Sequence, residues 1–243
     1  MTESKRKIDI NVDAGESFGV YQYGKDEALF PLVDSANIAC GFHGGDPHQM
    51  RKTIQLAAAN NVKVGAHVGF PDRLGFGRRE MKISPEEAYD YIVYQVGALQ
   101  AFASLYNMPL HHMKLDGAFY MMAAEQEELA EAVVGALLTY PAPLTLYTLP
   151  DSVLAAKALQ AELPVVQEYF ADRPYRNGKV KMFGWTPEEV GTEETIRQRT
   201  AAAVTSGKYD SICIHSDTPG VEKIGKIAAD LAASQTAIIG GTQ

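Results

Sequence analysis

Residues 7–13, Lys-Ile-Asp-Ile-Asn-Val-Asp, alternate strictly: Ile8, Ile10 and Val12 fall on one face, Asp9, Asn11 and Asp13 on the other. A period of two predicts a strand with one polar face. The apolar run 33–39 predicts a second strand, which ends in the glycines of Cys40-Gly41-Phe42-His43-Gly44-Gly45. A helix start follows at once, because Asp46 can cap and Pro47 suits the first helical position, where its missing N–H costs nothing. That helix is expected to about residue 61, with Met50, Ile54 and Ala57 at helical spacing, and strand three, 62–67, comes directly after. Ser84-Pro85-Glu86-Glu87 is a capping box that opens a helix to about residue 107, whose Ala88, Ile92, Val96, Leu99 and Ala103 share a face. Strand four, 110–115, sets His112, Lys114 and Asp116 on one side. The alternation continues as helix 124–139, strand 143–148, helix 151–161, strand 164–169, helix 193–207, strand 210–215 and helix 219–233. Residues 236–240 read as a short final strand.

Seven strand-then-helix units joined by short connections imply parallel strands, since each crossover returns the chain to the same end. An open doubly wound sheet and a barrel both satisfy that. The polar faces of strands one and four favour a barrel with a wet mouth. The expected fold is therefore α/β, a seven-stranded parallel (β/α) barrel forming one domain over 1–243. Two longer connections, 68–83 and 170–191, are polar and aromatic, as binding loops over a barrel mouth often are.

A net charge of -8 and a pI near 5.3 argue against a nucleic-acid or anionic-membrane surface, which would need a basic stripe. Cys40 and Cys213 both lie in apolar runs, so they read as buried free thiols and a reducing compartment. The polar start, Met1 to Lys7, has no apolar leader, and no window approaches a membrane span. A cytoplasmic protein with a small-molecule substrate is expected.

Ionisable residues mark the C-terminal ends of six strands: Asp13 and Glu16, His43 and Asp46, His67 and Asp72, Lys114 and Asp116, Glu168 and Asp172, His215 and Asp217. In parallel barrels that rim holds the active site. Such a cluster repels and desolvates itself unless it serves a ligand.

The segments Asn11-Val-Asp-Ala-Gly-Glu16, Ser35 to Pro47, Gly65-Ala-His67, Gly75-Phe-Gly-Arg-Arg79, Tyr94 to Leu99, Lys114-Leu-Asp-Gly-Ala-Phe-Tyr120, Ala171-Asp-Arg-Pro-Tyr175 and His215-Ser-Asp-Thr-Pro219 resemble, in order, the motifs of the LamB/YcsF family. The resemblance covers nearly the whole chain. It implies a seven-stranded (β/α) barrel of the glycoside hydrolase/deacetylase type. It also implies a part in the ATP-dependent opening of 5-oxoproline to glutamate, with partner subunits of 5-oxoprolinase B and C type.

On that reading Asp13 is a general base or metal ligand, and His43 and His67 transfer protons or join Asp13 around one divalent ion. Lys114 polarises an oxyanion with Asp116 beside it, and His215 pairs with Asp217. Substrate contacts are expected from Glu16, Asp46, Arg78, Arg79, Tyr120, Glu168, Asp172 and Arg173. The chain has no Gly-x-x-x-x-Gly-Lys-[Ser/Thr], so no P-loop holds the nucleotide, and the resemblance implies ATP through the complex. Arg78, Arg79 and the N–H groups of the Gly44-Gly45-Asp46 turn are the candidate phosphate contacts. The chain departs from the family pattern at Asp116, where histidine is usual, at Met121, where asparagine is usual, and at Ser216, where glycine is usual. Two other readings remain open: a stand-alone, metal-assisted amidohydrolase or deacetylase on another cyclic amide or acylated metabolite, and a non-catalytic small-molecule-binding subunit.

Overall fold

The computed structural model of the protein describes residues 7–240. Its strands are β1 (Asp9–Ala14), β2 (Ser35–Ala39), β3 (Lys63–Val68), β4 (Leu110–Leu115), β5 (Thr145–Thr148), β6 (Val165–Phe170), β7 (Tyr175–Arg176), β8 (Lys179–Val180) and β9 (Ser211–His215). Its helices are α1 (Asp26–Leu29), α2 (Pro47–Asn60), α3 (Pro85–Ser104), α4 (Gly117–Glu125), α5 (Glu127–Leu137), α6 (Val153–Gln160), α7 (Pro187–Val190), α8 (Glu193–Ser206) and α9 (Val221–Gly240). Among the described residues β1 to β6 and β9 close a barrel, every neighbouring pair parallel, and β7 and β8 form a separate hairpin. The expected seven-stranded parallel barrel is the observed one.

The apolar face read from the alternation of β1 points outward. Ile10, Val12, Ile38, Val64, Met113, Ile212 and Ile214 are buried, and so are Ile54, Ile92, Val96, Leu99, Val133 and Leu154 on the surrounding helices. Each large aliphatic side chain so buried stabilises the fold by roughly 1.5–3 kcal/mol. Helix starts follow the expected chemistry: the Asp46 carboxylate accepts from the Gln49 N–H at 2.8 Å, and Ser84 and Glu87 complete a capping box.

Three stretches differ from expectation. The helix expected over 124–139 is two helices, because α4 begins immediately after Asp116 and breaks at Gln126 before α5. The apolar run Ala118-Phe119-Tyr120 belongs to that earlier helix and is buried. Residues 236–240, read as a final strand, continue α9. β1 pairs with β2 on one side and β9 on the other, so the closed barrel offers no edge to another strand. The connection 170–191 also carries the β7–β8 hairpin and α7, which local polarity concealed.

Candidate active site

The strand ends open into a small pocket with a cavity volume of about 30 Å³. Asp13 and Glu16 line it from β1 and the turn beyond it, and Asp116 and Gly117 from the start of α4. The two long connections supply its walls, Phe76 and Arg78 from one, Arg173, Met182 and Phe183 from the other. His215 and Asp217 complete it at the end of β9.

Asp13 is held from several sides. Its Oδ1 accepts from Asn37 Nδ2 at 2.8 Å and from Lys114 Nζ at 3.0 Å. Its Oδ2 lies 3.3 Å from His67 Nε2 and 3.6 Å from His215 Nε2. Burial alone would raise its pKa, but the charges of His67, Lys114 and His215 outweigh that and hold it well below the usual carboxylate range. Lys114 is itself buried, yet Asp13, Cys213 and Glu168 keep it an ammonium.

His215 is oriented by Asp172. Its Nδ1 lies 2.8 Å from Asp172 Oδ1, and its backbone N–H donates to Asp172 Oδ2 at 2.8 Å. Thr218 and Arg173 also donate to that carboxylate. Burial opposes ionisation of Asp172, but His215 and Arg173 hold its pKa well below the ordinary value. A carboxylate only accepts, so His215 Nδ1 carries the proton and Nε2 is presented towards Asp13 and the pocket.

Below the floor a chain of hydrogen bonds runs down the barrel. Asn37 Nδ2 donates to Asn11 Oδ1 and to Asp13 Oδ1, each at 2.8 Å, which turns Asn37 Oδ1 towards His112 Nε2 at 2.8 Å. His112 Nε2 must then donate. Burial, reinforced by His111 and Lys114, keeps that ring neutral, so its Nδ1 accepts from His111 Nδ1 at 3.2 Å. The polarity of the chain is set throughout and ends on Asp13.

Glu16, His43, His67 and Asp116 form a second cluster at the ends of β1 to β4, and a donor atom from each lies within 4.8 Å of the others. His67 is pushed up to about 10: burial opposes its charge, but Asp13 and Asp116 more than compensate. Asp116 is lowered, its burial outweighed by His43 and His67. These residues have the donor chemistry to hold a divalent ion.

A family model described as the LamB/YcsF family matches residues 8–240. The chain belongs to that family. A Thermus thermophilus protein named as the A-type subunit of 5-oxoprolinase is 42% identical over 233 residues, covering 90% of this chain and 93% of its own. A Pyrococcus horikoshii protein of the same name is 44% identical over 231 residues, covering 90% of this chain and 91% of its own. The crystal structure of the lactam utilization protein from Thermus thermophilus superposes with a TM-score of 0.87 at 40% identity, over 95% of this chain and 97% of that one.

Set against this LamB/YcsF barrel, the expected site residues divide. Asp13, Glu16, Arg78, Asp116, Arg173, His215 and Asp217 reach the pocket, while His43 and His67 lie beneath it. His215 pairs with Asp172 rather than with Asp217, which instead binds Arg78 and Arg173. Asp116 turns to His67 and His43, and Lys114 turns to Asp13, so the expected Lys114–Asp116 pair does not form. Lys114 is buried, its ammonium held by Asp13, Glu168 and Cys213. Of the expected Asp13–His43–His67 ion set, the two histidines group with Glu16 and Asp116, and Asp13 groups with Cys213 and His215.

Several of the residues expected to contact substrate are engaged with protein groups. Asp46 is spent on Gln49 and Gly19, and Arg79 on Asp72 with its side chain in solvent. Tyr120 donates to Glu168 at 2.8 Å, and Glu168 in turn accepts from Asn11, all inside the barrel. Sequence reasoning missed Asn37, Cys213 and Ser216 as contacts of Asp13, Lys114 and Glu16. The inward register of Asn37 beside Asp13 was the available signal.

Proposed function

We propose that this chain is the A-type subunit of an ATP-dependent 5-oxoprolinase, which opens the lactam of 5-oxoproline to L-glutamate with B- and C-type partner subunits in the cytoplasm. The observation that carries the reading is the His215–Asp172 pair, which leaves a proton-accepting Nε2 facing Asp13 in the pocket. The two buried free cysteines suit a reducing compartment. Among the described residues no helix is long and apolar enough to cross a membrane.

A five-membered lactam is a poor electrophile, and transfer of the γ-phosphoryl group of ATP to its carbonyl oxygen makes a far better one. Water then adds to the carbon while His215 Nε2 takes its proton. The C–N bond breaks, and the ring nitrogen leaves as the amine, recovering the proton from His215. The acyl phosphate left behind is hydrolysed by a second water to glutamate and phosphate. Asp172 holds His215 in the required tautomer, and Asp13 stabilises the imidazolium. Arg78 and Arg173 face the negative charge of substrate and phosphate from the pocket wall. The nucleotide itself is held by the partner subunits.

The test is glutamate release from 5-oxoproline by the reconstituted complex. We expect dependence on ATP and on both partners, and a loss on the order of 10²–10⁴-fold for His215→Gln. Parent-like turnover in that variant would refute the assignment. A second reading, a stand-alone metal-assisted amidohydrolase, is favoured by the histidines under the floor. Chelator-sensitive activity of the isolated chain without ATP would select it.

A further inference from the structure

We propose that Glu16, His43, His67 and Asp116 bind one divalent transition-metal ion just beneath the pocket floor. The inference does not rest on lactam hydrolysis, since ion binding is read without substrate.

The first support is unmet hydrogen bonding. His43 is fully buried and His67 nearly so, yet none of their four ring nitrogens makes a well-aligned hydrogen bond: the facing carboxylate oxygens stand 3.3 Å from His67 Nε2 and 3.6 Å from His43. Asp116 Oδ2 is buried and equally unmet. Buried polar atoms are almost always satisfied, so two adjacent imidazoles left this way point to an occupant. The comparison inside the same barrel is direct, because His112, just as buried, has a partner on each nitrogen.

Charge is the second. Among the described residues neither Glu16 nor Asp116 has a lysine or arginine ion pair; their charged contacts are the two histidines. The neighbouring carboxylates are compensated, Asp13 and Glu168 by Lys114, Asp172 and Asp217 by Arg173. In this cluster the carboxylates are therefore faced by imidazoles alone, groups that can give up a proton to an ion.

Geometry is the third. His67 Nε2 lies 3.3 Å from Asp116 Oδ1, and His43 Nε2 lies 3.6 Å from Glu16 Oε1. A tetrahedral ion with bonds of about 2.1 Å separates its donors by about 3.4 Å. The cradle is also built for these side chains. A Cβ at Gly69 would collide with the His43 ring, and one at Gly77, whose φ is +71°, with the Asp116 carboxylate. Two imidazoles with two carboxylates select zinc, cobalt or manganese over calcium or magnesium.

The full-length chain, stripped with chelator and dialysed against Zn²⁺, Co²⁺ or Mn²⁺, tests this by metal analysis and by the visible spectrum of the cobalt form. One equivalent of retained ion, a cobalt spectrum without a thiolate charge-transfer band, and a raised Tm are expected. Glu16→Gln, close to isosteric, should weaken binding on the order of 10–100-fold, and His67→Gln at least as much. Retention of no ion above the buffer blank would overturn the proposal, as would binding unchanged in both variants. A thiolate band that disappears in Cys213→Ser would place the ion in the neighbouring Asp13–Cys213–His215 group and overturn the assignment equally.

Discussion

The two ends of the barrel interior bury polar side chains with opposite results. Towards the bottom, Asp9 accepts from Ser35, Tyr147 and Ser211, and Ser211 from Asn11. Towards the mouth, His43, His67 and His215 Nε2 are buried without a well-aligned hydrogen bond, facing carboxylates at 3.3 to 3.6 Å. Polar burial is stabilising when every group is matched and costly when it is not. The lower half is matched bond for bond, and the upper half carries the mismatch that the proposed ion would relieve.

Lys114 stands at the junction, and its removal should have the largest effect on stability. Lys114→Met leaves Asp13 and Glu168 buried without their counter-charge, and breaking a buried pair costs about 3–5 kcal/mol. Urea denaturation reads this directly; parent-like stability would show the junction to be unimportant.

The ionic balance at the mouth gives a pH dependence in chelator-treated protein. The folded-state pKa of His67 is raised to about 10 from an ordinary 6.5. Its contribution is fully present below about pH 6.5 and is lost as pH rises towards 10, on the order of a few kcal/mol. Asp13 and Asp172 are lowered, so theirs is present above about pH 4 and lost on further acidification. Stability measured by urea across pH 4–10 should peak on the acidic side of neutrality; a maximum near pH 9 would contradict the assigned charge on His67.

Asn37→Ala cuts the chain between His112 and Asp13 and should cost about 1–3 kcal/mol. It tests whether the scaffold positions the site. If so, kcat of the complex falls while KM holds, and the pH profile shifts; loss of stability alone would make Asn37 purely structural. Arg79→Ala is the smallest change. The guanidinium lies in solvent, and Asp72 keeps the backbone N–H of Gly75 as a donor, so Tm and activity should match the parent.

Much of this was legible in the chain. Alternation in β1 showed which face would be polar, the Asp46-Pro47 and Ser84-Pro85 starts were found where they lie, and the thiols are buried as expected. The helix over 117–125 was not legible, because its uniformly apolar sequence carries no helical period. The protein partners of Asp46, Arg79 and Glu168 were not legible for a related reason. Placement at a strand end says nothing of whether a carboxylate or guanidinium is already engaged.

What the sequence determined by itself was the barrel and the rim on which ionisable side chains collect, since both follow from local periodicity and the strand–helix order. Tertiary structure alone decided the partnerships: Asp172 with His215 across 43 positions, Lys114 with Asp13 across 101, Asn11 with Glu168 across 157. A period tells which way a side chain faces. Which atom it meets depends on distances of an ångström or less, and those exist only once the barrel has closed.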